Sequence, residues 1–263
     1  MAGYADGILE RIMIDLEYIG KKERQSGKDL FHSEHTIIDV SKIKSVLKKT
    51  PLMVRVNSIH SDTLSEIDEV ITRGADVVML PFFKTLKEVD LFINCVRNRA
   101  KVSLLIETKE AVDLLDQLVL INSIDEYHIG LNDLSISLGN ETIFDAILDG
   151  TIEQCISILK SSNKPYGFGG VGSLSNRSLT IDPLLCLSEQ IRLGCSIGWL
   201  GRSFRNLITD KHTLDREINL LKDNIDILKN CDNITLENNH KKLISNINIK
   251  IDQLKSELKP YRI

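Results

Sequence analysis

No apolar run in the 263 residues approaches the roughly 18 needed to span a bilayer, so no transmembrane helix is expected. No basic region followed by an apolar core opens the chain, and no signal peptide is read there. There is no CxxC pair among Cys95, Cys155, Cys186, Cys195 and Cys231. An odd, scattered set argues against disulfides and a structural zinc site, and makes the cytoplasm the expected compartment. There is no basic excess either. The net charge is −4, so the electrostatic footprint of a nucleic-acid binder is missing. No linker, low-complexity tract or internal repeat interrupts the first 206 residues. An apolar share of 42% and a charged share of 27% are globular values and exclude a disordered chain.

What is present is a rhythm. Seven short apolar, β-branched runs occur at residues 11–17 (RIMIDLE), 51–57 (PLMVRVN), 76–81 (DVVMLP), 101–107 (KVSLLIE), 126–131 (EYHIGL), 166–171 (YGFGGV) and 197–202 (IGWLGR). Most are continuous rather than alternating, which suits strands buried on both faces of a parallel sheet. Stretches of helical period separate them, such as Leu86, Val89, Phe92, Ile93 and Val96, and Ile152, Cys155, Ile156 and Leu159. The spacing predicts an α/β fold, a (β/α)8 TIM-type barrel over residues 1–206. Beyond it, Leu214, Ile218, Leu221, Ile225 and Leu228 form one heptad-like seam, and Ile244, Ile247, Ile251, Leu254 and Leu258 a second. A polar turn at 230–240 between them predicts a C-terminal helical hairpin over 207–263. It either folds onto its own barrel or forms an oligomerisation arm.

Polar residues gather where these strands should end: Asp15 and Glu17, Arg55 and Asn57, Glu107, and Asp133 just beyond the fifth run. In a barrel that end builds the active site. Arg55 lies inside a buried run and needs an anionic partner. Asp15 or Glu17 would serve, while the guanidinium fork also suits a substrate carboxylate or enolate oxygen. Glu107 and Asp133, on successive strands, offer oxygen ligands to a hard divalent cation such as Mg²⁺. No lysine in a strand is placed as a Schiff-base former. The stretch Gly167-Phe-Gly169-Gly170-Val-Gly172 matches GxGxxG. Its glycines lie within a strand with no helix opening directly after, so a dinucleotide site is not read there. Loops after the last two strands, here this glycine segment and Gly201-Arg202, are a common phosphate-binding place in barrels.

In order and at suitable spacing, Ile14-Asp15-Leu16-Glu17, Val54-Arg55-Val56-Asn57, Gly74–Pro81, Leu105-Ile106-Glu107-Thr108 and Ile129-Gly130-Leu131-Asn132-Asp133-Leu134 make the chain resemble the aldolase/citrate lyase family over residues 4–206. That family includes metal-dependent pyruvate aldolases and the β-subunit of citrate lyase. The resemblance implies a phosphoenolpyruvate/pyruvate-type barrel and a Mg²⁺ or Mn²⁺ ion on Glu107 and Asp133. Arg55 would bind substrate and take part in catalysis with Asp15 and Glu17, and Gly130, Leu131 and Asn132 would bind the substrate carboxylate. The implied activity is carbon–carbon lysis or aldol chemistry on a small 2-oxo acid, in a cytoplasmic homo-oligomer joined through the C-terminal helices, without nucleic-acid or membrane partners. A citryl- or malyl-CoA-type lyase is an alternative, with a thin basic candidate for the cofactor phosphates in residues 21–28. A catalytically inactive binding subunit is another.

The chain departs from the family pattern in three ways. Tyr18 stands where the lyase branch often has a second acid. The aldolase branch's histidine after strand two has its nearest counterparts in His32 and His35. The usual opening strand is missing, which predicts an incompletely closed barrel, less stable and less active than a form carrying the strand.

Overall fold

The computed structural model describes residues 5–20, 34–176, 178–179 and 181–257. Each of the seven runs contains a strand. Six form one parallel sheet in chain order: β1 (Ile12–Asp15), β2 (Leu52–Arg55), β3 (Val77–Leu80), β4 (Lys101–Ile106), β5 (Glu126–Ile129) and β6 (Tyr166–Phe168). The sixth run is broken at Gly169, whose φ of 55° lies in the left-handed region that favours glycine. Beyond the break, β7 (Gly170–Val171) pairs in parallel with β8 (Trp199–Leu200) as a separate ribbon. The result is a curled sheet with outer helices, a TIM-type partial barrel. The sequence predicts one seven-stranded sheet; the single left-handed residue splits it.

Twelve helices of the described residues complete the order. They are α1 (Ile37–Val46), α2 (Thr63–Thr72), α3 (Leu86–Val96), α4 (Lys109–Asp113), α5 (Leu115–Leu118), α6 (Leu131–Ser137), α7 (Asp145–Leu148), α8 (Thr151–Lys160), α9 (Pro183–Arg192), α10 (Arg202–Leu207), α11 (Lys211–Lys229) and α12 (Asn233–Glu257). Local chemistry starts them where the periodicity begins. At α3, Thr85 Oγ1 accepts the Glu88 N–H and Glu88 reaches back to the Thr85 N–H, a reciprocal cap. The apolar positions read from the sequence then face the sheet. Val89, Phe92 and Val96 of α3, and Ile152, Cys155, Ile156 and Leu159 of α8, are all buried in one core with Val54, Val78, Leu104 and Ile129. No helix of the described residues is long and apolar enough to cross a membrane.

Among the described residues no strand pairs with the outer edge of β1. Side chains close that side instead. Within the sheet's curve, Met13 of β1 and Trp199 of β8 both pack on Met53, Val77, Met79 and Leu105. Outside it, Ile12 and Leu200 share a cluster with Ala5, Phe204, Ile208, Leu214 and Ile218. The start of α11 is thus part of the seal.

The tail forms the expected hairpin, with a shorter turn than predicted: α12 already begins at Asn233, well inside the polar 230–240 stretch. These polar residues lie on a helix rather than in a loop: Asn233 and Asn238 face solvent, Asn239 Nδ2 donates to Ser188 Oγ of α9 at 3.0 Å, and Glu237 accepts from Arg192. The hairpin folds onto its own chain. Leu228 packs with Val171, Leu174 and Leu187, while Leu243 and Ile247 pack with Ile181 and Leu185. Of the second predicted seam, Ile247 is fully buried, Ile244 and Ile251 are partly so, and Leu258 lies outside the described residues. Leu243, 0% exposed, takes the central position. Leu243→Ala is expected to lower the unfolding free energy by about 3 kcal/mol, from lost burial plus the cavity. Ile249→Ala, at a position 54% exposed, should change it by less than about 0.5 kcal/mol. Equal urea midpoints for the two variants would contradict this packing.

Candidate active site

The strand ends bring the predicted charges together because parallel register aligns them. Asp15 is the register partner of Arg55. Arg55 Nε donates to Asp15 Oδ1 at 2.8 Å and Nη2 to Asp15 Oδ2 at 2.6 Å, a two-pronged pair. Its third nitrogen, Nη1, lies 3.4 Å from Glu17 Oε2. Glu17 is itself steadied by donating its N–H to Asp15 Oδ1. Burial by itself would push the Arg55 pKa down. The Asp15 hydrogen bonds and the charges of Asp15, Glu17 and Glu107 more than reverse this, and the guanidinium is held firmly charged. Two acids orient one arginine, and a third acid lies within electrostatic reach.

That third acid, Glu107, follows β4 directly and is 2% exposed. Its Oε1 accepts the N–H of Phe82, a residue with a left-handed φ of 49° just past β3. Just past the end of the neighbouring strand, β5, stands Gly130. A Cβ there would lie 2.8 Å from Glu107 Oε2 and 3.2 Å from Glu107 Cβ, so the missing side chain is what makes room for the carboxylate. Asp133, also buried, sits in the first turn of α6 rather than at the end of β5, because the strand stops at Ile129.

The predicted carboxylate cradle of Gly130, Leu131 and Asn132 is altered in one respect. The Gly130 N–H donates to the Ile106 carbonyl, so this residue contributes space rather than a donor. The N–H groups of Leu131 and Asn132 belong to the first turn of α6, where the helix itself has no acceptor for them.

Around this centre lies a second polar layer. Asn57 Oδ1 accepts the N–H groups of both Tyr18 and Ile19, at 2.9 and 3.0 Å, and its Nδ2 donates to Glu66 Oε1. Glu66 Oε2 meets His60 Nε2 at 3.0 Å. The chain that carries Glu17 is therefore tied to α2. Of the histidines considered for acid–base work, His35 accepts the Asp15 N–H at Nδ1, while His32 and the basic segment 21–28 lie outside the described residues. His60, five positions after Arg55, was the nearer candidate after the second strand.

The sequence reading also missed His128. It is 1% exposed and stacks on Trp199 with ring centroids 4.2 Å apart. Its Nε2 donates to the Gly169 carbonyl at 2.9 Å, and Nδ1 has no hydrogen-bond partner among the described residues. Burial, reinforced by the nearby Arg55 charge, lowers its pKa to about 4 against the hydrogen bond to Gly169. A histidine inside an otherwise apolar strand run was the signal that could have found it. The GxGxxG glycines answer to packing instead: a Cβ on Gly167 would collide with the Ile197 carbonyl, and one on Gly169 with Leu131.

A divalent cation fits this donor set. Mg²⁺ commonly takes one or two protein carboxylates, and Glu107 and Asp133 are two buried ones. The absence of a side chain at Gly130 leaves room for Glu107 Oε2, which a Cβ there would meet at 2.8 Å. Among the described residues no three Asp, Glu, His or Cys side chains converge as a metal cage.

A parallel α/β partial barrel with an acid-braced arginine and carboxylates gathered at the C-terminal side of its strands has the layout in which barrel active sites are built. The sequence matches the family model HpcH/HpaI aldolase/citrate lyase over residues 12–145, and the chain belongs to that family. Solved structures show the same fold at low identity. A HpcH/HpaI aldolase/citrate lyase family protein from Burkholderia cenocepacia J2315 superposes with a TM-score of 0.55 at 13% identity, over 84% of this chain and 96% of that one. A citrate lyase from Burkholderia xenovorans LB400 gives 0.54 at 10%, over 96% of this chain and 77% of the other. RipC from Yersinia pestis gives 0.54 at 11%, over 88% and 100%. A sequence search of curated proteins finds no match.

Proposed function

We propose that this protein is a divalent-metal-dependent carbon–carbon lyase, an aldolase-type enzyme acting on a small 2-oxo acid. The observation that carries the reading is the Asp15–Arg55–Glu17 assembly, with Glu107 in electrostatic reach and its carboxylate accommodated by Gly130. Glu107 and Asp133 would hold Mg²⁺ or Mn²⁺, which when bound supplies Lewis-acid polarisation of the 2-oxo group. Arg55 does the complementary work. Breaking the C–C bond leaves its electron pair on the oxo acid fragment, delocalised onto the former carbonyl oxygen as an enolate. The fixed guanidinium presents positive charge to that oxygen without having to reorganise, because Asp15 holds it from behind. The N–H groups of Leu131 and Asn132, in the first turn of α6, suit the substrate carboxylate.

Five unpaired cysteines accord with a cytoplasmic location. Assembly through the C-terminal hairpin belongs to the same reading, since Ile227, Ile234 and Ile249 stay exposed after the hairpin has folded onto α9.

The test uses metal removal. Protein stripped with EDTA is expected to lose both aldol cleavage and exchange of pyruvate methyl protons with solvent, and to regain both on adding Mg²⁺ or Mn²⁺. Full turnover in the stripped protein would sink the metal-dependent reading.

A further inference from the structure

Parallel barrels commonly bind phosphate with the loops that follow their last two strands. Here those loops leave β7 at Gly172 and β8 at Gly201, and they touch. A Cβ on Gly172 would stand 3.1 Å from Ser203 Oγ, and one on Gly201 3.2 Å from the Val171 carbonyl. Two hydroxyls follow Gly172, those of Ser173 and Ser175, 3.1 Å apart. Both turn to the same acceptor. Ser173 Oγ donates to Glu217 Oε2 at 2.8 Å, and Ser175 Oγ donates to Glu217 Oε1 at 2.8 Å. A hydroxyl has one proton to give, so each serine has used its donor. Glu217 comes from α11 and is 1% exposed, and Ser173 is fully buried. Arg216, more than half exposed, approaches Glu217 Oε1 at 3.3 Å from the solvent side. Burial works against the charge on this carboxyl. The two serine bonds and Arg216 outweigh it and hold the pKa below the usual value. The loop is a built anion site whose anion is part of the chain.

We propose that Glu217 is a specificity residue: it fills the loop after β7 with an intramolecular carboxylate, so that the site accepts phosphate-free oxo acids and rejects phosphorylated ones. The substrate class rests on the lyase reading given above; the occupancy of the loop does not. A phosphate entering here would find both hydroxyl protons engaged and a fixed negative charge in its place. To bind, it would have to displace Glu217 and with it the anchoring of α11 at the mouth of the barrel.

The experiment has a binding arm and a kinetic arm. In the binding arm, melting temperature is measured with inorganic phosphate, acetate and chloride at matched ionic strength. Wild type is expected to respond to none of them differently from chloride. Glu217→Ala is expected to melt lower and to recover with acetate or phosphate but not with chloride. Glu217→Gln keeps the shape and loses the charge; it is expected to fold and to gain a response to phosphate, which keeps the test decisive if the alanine variant fails to fold. Stabilisation of wild type by phosphate beyond the chloride control would overturn the proposal, as would two folded variants that respond no more than wild type. In the kinetic arm, two aldol substrates differing only in a terminal phosphate are compared. Wild type is expected to favour the phosphate-free one by about tenfold or more in kcat/KM, and Glu217→Gln to narrow that ratio. An equal kcat/KM for the pair in wild type overturns the specificity role. Absence of lyase turnover altogether counts against the lyase reading and leaves the binding arm to decide on Glu217.

Discussion

Replacing Asp15 by alanine is expected to lower the unfolding free energy by about 3 kcal/mol and to abolish turnover. The reason lies in what is left behind. Arg55 has 12% of its side chain exposed, and its two short hydrogen bonds go to Asp15. Removing one partner of a buried ion pair strands the other in a place where water reaches it poorly, a loss of roughly 3–5 kcal/mol. Glu17, 3.4 Å from Nη1, offsets part of this and sets the expectation at the lower end. Asp15→Asn keeps one acceptor and should fall between. The double variant Asp15→Ala/Arg55→Met removes the stranded charge and should recover stability without recovering activity, because buried ion pairs are commonly replaceable by apolar groups. Urea unfolding and turnover on the same samples separate the two effects. A single Asp15→Ala variant as stable as wild type would mean that Arg55 is solvated in some other way.

Acid should unfold the protein partly through His128. Its folded pKa is about 4, whereas in the unfolded chain it returns to the ordinary value of 6.5. Between those values the unfolded state binds the proton and the folded state does not, so stability rises with pH through this window. Read downward, the contribution is intact above about pH 6.5, is lost progressively as pH falls to about 4, and amounts to about 3 kcal/mol, at 1.36 kcal/mol per pKa unit. His128→Phe preserves a ring against Trp199 and removes the titration, and should flatten the unfolding free energy between pH 6.5 and 4 by that amount. Superimposable pH curves for the variant and wild type would show that His128 protonates in the folded state as readily as in the unfolded one. The comparison is between the two curves and not with a flat line.

The strands were legible because most are continuous apolar runs, as parallel strands covered on both faces tend to be. The charged centre was legible for a related reason. Asp15, Arg55 and Glu107 sit within or directly after such runs, where an ionised group must have a partner, and an arginine on the strand next to two acids has few to choose from. Helix starts such as Thr85 with Glu88 were equally local. Membership of the aldolase/citrate lyase family follows from these same short motifs.

Other features depended on groups distant in the chain. Gly169 breaks the sixth run because of its backbone angle, which composition does not report. Whether the tail seams faced their own barrel or another was open until α9 lay beneath them, since an apolar stripe specifies burial but no partner. His128 became a neutral, stacked imidazole only when the curl of the sheet placed Trp199 of β8 over it. Glu217, a polar position in a helix, is a fixed internal anion only because the loop after β7 brings two serine hydroxyls to it. Periodicity tells a residue which face it occupies. The pKa, the hydrogen-bond partner and the role are set by desolvation and by groups brought near in space, and those are properties of the folded chain.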